Sequence, residues 1–148
     1  MVSPTLLVSK PVEAKATLVL AHGAGNCMRE PMLNSLSDGL THQGWRVVRF
    51  EFPYMARQSL TGRRTFPDKL SVLLDAYRSV VESVNKEIQQ PLLIGGKSMG
   101  GRIASLVANS LYNDDLIQGV VCLGYPFHPL KRPDQLRTEH LGPSQLQC

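Results

Sequence analysis

The feature that most constrains this chain of 148 residues is a serine flanked by glycines, Gly96-Lys97-Ser98-Met99-Gly100. The pattern G-x-S-x-G is typical of a serine at the apex of a sharp turn from a strand into a helix. Glycines are needed on both sides because a β-carbon would collide with neighbouring backbone. An apolar run from Pro91 to Gly95 precedes the motif, and apolar residues recur at helical spacing over residues 103–111. The sequence therefore predicts a strand, a turn and a helix, with Ser98 as the candidate nucleophile.

The same motif contains the Gly-Lys-Ser triplet of a phosphate-binding loop. That loop requires a further glycine five positions before the Gly-Lys pair, where this chain has Pro91. The later apolar run from Val120 to Leu123 leads into Gly124 and not into the aspartate that a magnesium site would need. We therefore favour the serine turn over nucleotide binding, and we expect no cofactor and no metal.

A second candidate element lies upstream, where a predicted buried strand, Thr17 to Ala21, runs directly into His22-Gly23-Ala24-Gly25. In hydrolases with a serine of this kind, a backbone N–H from this loop joins the N–H of the residue after the nucleophile in an oxyanion hole. By position, Ala24 and Met99 are the predicted donors. We expect the imidazole of His22 to brace the loop rather than to transfer protons.

The rest of the chain alternates predicted strands and helices, which favours βαβ crossovers and a parallel sheet. No repeat or linker interrupts the pattern, so we predict one α/β domain over residues 1–148. The predicted strands are 17–21, 45–52, 91–95 and 119–124, the predicted helices lie near 31–44, 70–84 and 103–111, and residues 53–66 are predicted to form a loop.

Five blocks of the sequence together resemble one known family: residues 22–25, 49–55, 95–102, 122–129 and 136–141. They are similar to the predicted-hydrolase branch of the α/β-hydrolase fold, which includes KANL/Tex-type domains and is distantly related to dienelactone hydrolases. The resemblance extends from about residue 18 to residue 141. It implies a parallel sheet with flanking helices, a serine nucleophile at Ser98 and oxyanion donors near Ala24 and Met99. It does not imply a particular substrate, because one fold hosts many chemistries.

Members of this branch continue beyond the last block into two strands and a loop that carry the acid and the histidine of the catalytic triad. Residues 142–148 no longer resemble the family. We therefore expect a domain that lacks the last two strands, as a premature stop or frameshift near residue 142 would produce. The strand at residues 119–124 would then form an exposed apolar edge, open to pairing with another chain.

A serine hydroxyl needs a base within hydrogen-bond reach, and four histidines are available. His42 is expected to be solvated at a helix end, and His140 lies near the terminus. His128 follows a strand at the sheet edge where active sites collect, so it is the one histidine worth testing as a replacement base. The alternative, which we favour, is that His128 shapes the pocket or a turn. His22, Tyr54 and His128 are therefore the candidate pocket residues.

Charge and composition narrow the class of partner. The net charge is +4, and part of the positive excess lies at Arg57, Arg63, Arg64 and Lys69. These residues could attract an anionic substrate, or the loop that carries them could simply be solvated. Aromatic residues make up only 6% of the chain and no recognition motif accompanies the charge, so we expect no nucleic-acid partner.

The three cysteines lack the spacing of a metal site, and free thiols are typical of proteins in a reducing compartment. Neither a signal peptide nor a membrane-spanning stretch is evident, so we expect a cytoplasmic protein without a membrane partner.

Two functional hypotheses follow. The first is a serine hydrolase that acts on a small-molecule ester, thioester or related acyl bond, weakened or inactive because the triad acid and histidine are missing. The second is a non-catalytic binding or scaffold domain that uses the hydrolase framework and its open sheet edge.

Overall fold

The fold is a five-stranded sheet with helices on both faces, and the computed structural model describes residues 4–125. The strand order is β1-β3-β2-β4-β5. The strands are β1 (Leu6–Ser9), β2 (Ala16–Ala21), β3 (Trp45–Phe50), β4 (Leu92–Lys97) and β5 (Gly119–Leu123). The helices are α1 (Pro31–His42), α2 (Pro53–Thr61), α3 (Leu70–Asn85) and α4 (Met99–Asn113).

The four strands from β2 to β5 run parallel, which confirms the predicted α/β architecture. The sheet is nevertheless mixed, because β1 pairs antiparallel with β3 along one edge. This strand was not predicted. It has only four residues, and Val8 within it is largely exposed, so it shows neither a buried apolar run nor a clear alternation.

The sheet has an apolar core on each face, which explains why the central strands are continuous apolar runs in the sequence. Alternate residues of a strand point to opposite faces of the sheet, and here both faces are covered. Leu18 and Leu20 of β2 pack with Leu33 of α1 on one face. Val19 and Ala21 belong to the larger core on the other face, which α3 and α4 cover.

The predicted loop over residues 53–66 is wrong in its first part, because residues Pro53–Thr61 form helix α2. Pro53 fits the first turn of a helix, and the helix ends at Gly62, whose φ of 72° is the left-handed conformation that glycine adopts without strain. Only Tyr54 and Met55 are buried on α2, so too few apolar residues recur for a helical period to be visible. The remaining loop covers residues 62–69.

The edges of the described sheet are β1 and β5. Val121 of β5 is partly exposed there. Residues 126–148, including His128 and His140, lie outside the described residues, so the predictions made for them are not tested by this structure. Among residues 4–125, no helix combines the length and apolar character needed to cross a bilayer.

Candidate active site

Ser98 occupies the turn between β4 and α4, as the glycine-flanked motif predicts. Its backbone has φ 52° and ψ −118°, a conformation that costs a non-glycine residue about 1–3 kcal/mol. The N–H of Ser98 donates to the carbonyl of Leu123 at 2.7 Å, which fixes the turn against the end of β5. The residue is half-buried, so its hydroxyl is not sealed in the core.

Two glycines of the motif are required by close backbone approaches. A β-carbon on Gly96 would lie 2.6 Å from the carbonyl oxygen of Gly100. A β-carbon on Gly100 would lie 2.5 Å from the carbonyl oxygen of His22. Because the obstructing atoms belong to the backbone, no side-chain rotation relieves either clash. The two glycines therefore let α4 begin directly against the end of β4 and the end of β2.

The loop after β2, residues 22–30, lies against Ser98. A β-carbon placed on Gly23 would be 3.8 Å from Cβ of Ser98 and 3.5 Å from the carbonyl oxygen of Lys97. Nζ of Lys97 also forms an ion pair with Oε1 of Glu30 at 3.2 Å. The serine turn and this loop are thus adjacent, with Cβ of Ser98 close to Gly23.

The backbone N–H groups of Ala24 and Met99 both lack an acceptor among residues 4–125. Met99 is the first residue of α4, so its N–H belongs to the positive end of that helix. Ala24 is exposed, in the loop that adjoins the serine. Neither N–H group is therefore engaged within this part of the chain.

His22 is completely buried, and both of its ring nitrogens are engaged. Nε2 accepts the N–H of Phe52 at 3.0 Å, so Nδ1 carries the proton and donates to the carbonyl of Gly23 at 2.6 Å. Burial lowers the pKa of His22, which keeps the ring neutral. This histidine braces the loop and has no free nitrogen to accept the proton of a serine.

His42 is also unsuited to be a base for Ser98. It lies exposed at the end of α1, and the carbonyl of Gly44, two residues later, accepts the N–H of Lys15 just before β2. His42 therefore lies near the amino ends of the parallel strands, whereas Ser98 follows the carboxyl end of β4. Between residues 4 and 125, neither histidine reaches the serine.

Tyr54, expected only as a pocket residue, is fully buried and holds the loop by its hydroxyl. The hydroxyl donates to the carbonyl of Ala24 at 2.8 Å. The N–H of Tyr54 donates to Oδ2 of Asp68 at 2.8 Å, and its carbonyl accepts Oγ1–H of Thr65 at 2.7 Å. Burial raises the pKa of Tyr54, so the phenol stays protonated and remains a donor.

Sequence reasoning missed two further residues that hold this loop, Arg49 and Glu51. Nη1 of Arg49 donates to the carbonyl of Met28 at 2.9 Å and to Oδ1 of Asn34 at 2.6 Å. Oε2 of Glu51 accepts the N–H of the same Met28 at 3.2 Å. The available signal was the pair of charged residues, Arg49 and Glu51, on either side of Phe50 where β3 ends. Within the described part of the chain, no group of three or more His, Cys, Asp or Glu is placed to hold a metal ion.

Comparisons with known proteins agree with the fold described above. Residues 14–148 match the family described as alpha/beta hydrolase domain. The fold is similar to that of an α/β serine hydrolase homologue from Coxiella burnetii, at 20% identity and a TM-score of 0.63, over 79% of this chain and 55% of that one. It is also similar to dienelactone hydrolase from Anabaena variabilis, at 18% identity and a TM-score of 0.68, over 83% and 64%.

A carboxyl esterase from Bacillus coagulans gives a TM-score of 0.65 at 16% identity, over 79% of this chain and 38% of that one. The chain therefore spans less than two thirds of the length of each of these three proteins. The expected resemblance to α/β hydrolases, dienelactone hydrolase included, is confirmed.

Proposed function

This chain belongs to the alpha/beta hydrolase domain family, and on that premise we propose that it is a serine hydrolase acting on acyl bonds through Ser98. One observation carries the proposal. Ser98 is held in a strained turn against Gly23, and the N–H groups of the next residues along each segment, Ala24 and Met99, have no acceptor among the described residues. Strain of this kind is typical of functional sites.

In the proposed reaction, Oγ of Ser98 attacks the carbonyl carbon of an ester or thioester while its proton passes to a base. The carbonyl oxygen gains the negative charge, and the N–H groups of Ala24 and Met99 donate to it. The tetrahedral intermediate then collapses to an acyl-serine with loss of the alcohol or thiol, and water releases the acid. Removal of one such donor typically slows the reaction by about 100- to 1,000-fold.

No histidine among residues 4–125 can serve as the base for this reaction. Both ring nitrogens of His22 are hydrogen-bonded, and His42 lies near the amino ends of the parallel strands, away from Ser98. His128 remains the candidate that the sequence offers. Its test is the variant His128→Ala: if a folded variant still reacts at Ser98 with a serine-directed probe at the wild-type rate, His128 is not the base.

A negatively charged acyl substrate is favoured by the segment that follows Tyr54. Arg63, Arg64 and Lys69 are exposed, and no carboxylate among the described residues pairs with them, whereas Arg57 is paired with Asp68 at 2.7 Å. Thr65 and Asp68 of this segment bind the backbone of Tyr54, whose hydroxyl binds the carbonyl of Ala24, so Tyr54 links the basic segment to the loop of the proposed oxyanion donor. Exposed charges of one sign raise the local concentration of an oppositely charged ligand.

The test is covalent labelling of the purified chain with a fluorophosphonate probe. We expect labelling at Ser98, its loss in Ser98→Ala, and its retention in Ser83→Ala, which changes an exposed serine near the far end of α3. A folded chain that takes up no probe would refute the proposed activity. It would favour the second hypothesis, a non-catalytic scaffold that pairs through the β5 edge, which gel filtration and cross-linking then test.

A further inference from the structure

Two successive carbonyl groups of the loop beside Ser98 are held by buried side chains. The carbonyl of Gly23 accepts Nδ1–H of His22 at 2.6 Å. The carbonyl of Ala24 accepts the hydroxyl of Tyr54 at 2.8 Å. Both donors are fully buried, whereas Ala24 itself is exposed.

These two contacts fix the direction of the neighbouring N–H groups. In a trans peptide the C=O and N–H bonds lie in one plane and point in opposite directions. The carbonyl of Gly23 and the N–H of Ala24 belong to one peptide group, so the His22 contact sets where that N–H points. The Tyr54 contact sets the next peptide group and thereby limits rotation on the other side of Ala24.

The loop needs such restraint because Ala24 lies between Gly23 and Gly25. Glycines rotate between backbone conformations with little steric cost, so the peptide between residues 23 and 24 would otherwise flip easily. A flipped peptide would present a carbonyl oxygen to the place where negative charge develops. The resulting repulsion would remove the benefit of the donor.

The two side chains are themselves firmly placed. His22 is fixed by the N–H of Phe52, and its ring meets that of Tyr54 edge to face at 5.8 Å. Tyr54 is fixed at its backbone by Asp68 and Thr65. The restraint on Ala24 is therefore supported by the end of β3 and the first turn of α2. These residues belong to the sequence block 49–55, for which the sequence suggested no role beyond that of Tyr54 in a pocket.

We propose that Tyr54, together with His22, is a positioning residue that holds the peptide groups on both sides of Ala24 so that the Ala24 N–H faces the acyl oxygen. This inference rests on the proposed function of Ser98. Tyr54 acts through the backbone of Ala24 and does not contact the substrate.

The first test compares Tyr54→Phe with Tyr77→Phe. Both variants lose one buried hydroxyl, but the hydroxyl of Tyr77 binds the carbonyls of Val19 and Gly95 within the sheet. We expect Tyr54→Phe to lower the maximal rate of fluorophosphonate labelling by about 10- to 100-fold, less than complete loss of a donor would, with little change in the probe concentration at half-saturation. Tyr77→Phe should lower the denaturation midpoint and leave the labelling rate of the folded chain within about twofold. A folded Tyr54→Phe chain that is labelled at the wild-type rate would overturn the proposal.

The second test uses two replacements of His22 that keep different halves of its contacts. His22→Asn places an N–H near the position of Nδ1 and can still donate to Gly23, whereas His22→Gln places its amide near Nε2, next to the N–H of Phe52. We expect the asparagine variant to be labelled faster than the glutamine variant. Equal rates in two folded variants would contradict the role assigned to His22.

A backbone measurement separates this inference from the proposed function. If the wild-type chain is not labelled, the proposed activity fails, and the carbonyl carbon of Ala24 is then followed by NMR in wild type and in Tyr54→Phe. Loss of the hydrogen bond to this carbonyl should shift the resonance upfield. An unchanged shift would refute the positioning role.

Discussion

Replacing Gly100 with alanine is expected to destabilise the domain, against the usual preference of a helix for alanine. Alanine is favoured over glycine inside a helix by up to about 1 kcal/mol. At Gly100, however, the added β-carbon would lie 2.5 Å from the carbonyl oxygen of His22 and 2.7 Å from that of Ala21. Relief of such overpacking typically costs about 1–3 kcal/mol, so after subtraction of the helix preference the expected net loss of unfolding free energy is up to about 2 kcal/mol.

The matched control is Gly39→Ala, the same chemical change within α1. A β-carbon on Gly39 meets nothing within 4 Å, so this variant is expected to be more stable than the wild type by up to about 1 kcal/mol. Urea unfolding followed by the fluorescence of Trp45, the one tryptophan of the chain, measures both changes. If Gly100→Ala were as stable as Gly39→Ala, the tight approach of α4 to the end of β2 would be refuted.

Two further predictions concern charge. Burial lowers the pKa of His22 below its unfolded value of 6.5, so the unfolded chain binds this proton first as the pH falls. The contribution of His22 to stability is therefore full above pH 6.5. It falls as the pH drops towards the folded-state pKa, with a slope of up to about 1.4 kcal/mol per pH unit. Urea midpoints at pH 7 and 5.5 check this, and an equally steep loss in His22→Asn would contradict it. If Arg63 and Arg64 attract the substrate, kcat/KM for an anionic ester should fall more steeply with salt than kcat/KM for a neutral one, because exposed charges are screened over about 10 Å at 0.1 M salt. The double variant Arg63→Gln/Arg64→Gln should abolish that difference, and a persisting difference would count against the basic segment.

The elements with a strong local signal could be predicted from the sequence. The buried strands β2 and β4 are short apolar runs, and α3 repeats buried residues at helical spacing along its whole length. Strand β1 and helix α2 were missed because each buries too few residues to show a period. Their formation depends on pairing and capping that only the folded neighbours reveal.

The same limit applies to the site. Ser98 and its flanking glycines form a local motif, so the turn could be located from the sequence. The contacts that hold the neighbouring loop join residues about 20 to 30 positions apart, as in the pair Arg49 and Met28 or the pair Tyr54 and Ala24. They depend on the register of β2 against β3, in which Ala21 pairs with Phe50. No pattern in a single sequence specifies that register, so the contact between Tyr54 and Ala24 could not be predicted from the sequence.

The strand order has a consequence for where a cleft is expected. β2 and β4 are neighbours at the centre of the sheet, yet the chain leaves β2 through α1 over one face and leaves β4 through α4 over the other. Connections that depart to opposite sides from adjacent parallel strands leave a gap between them. Ser98 follows the end of β4, so the chain topology predicts a gap at the serine without any cavity in the packed interior.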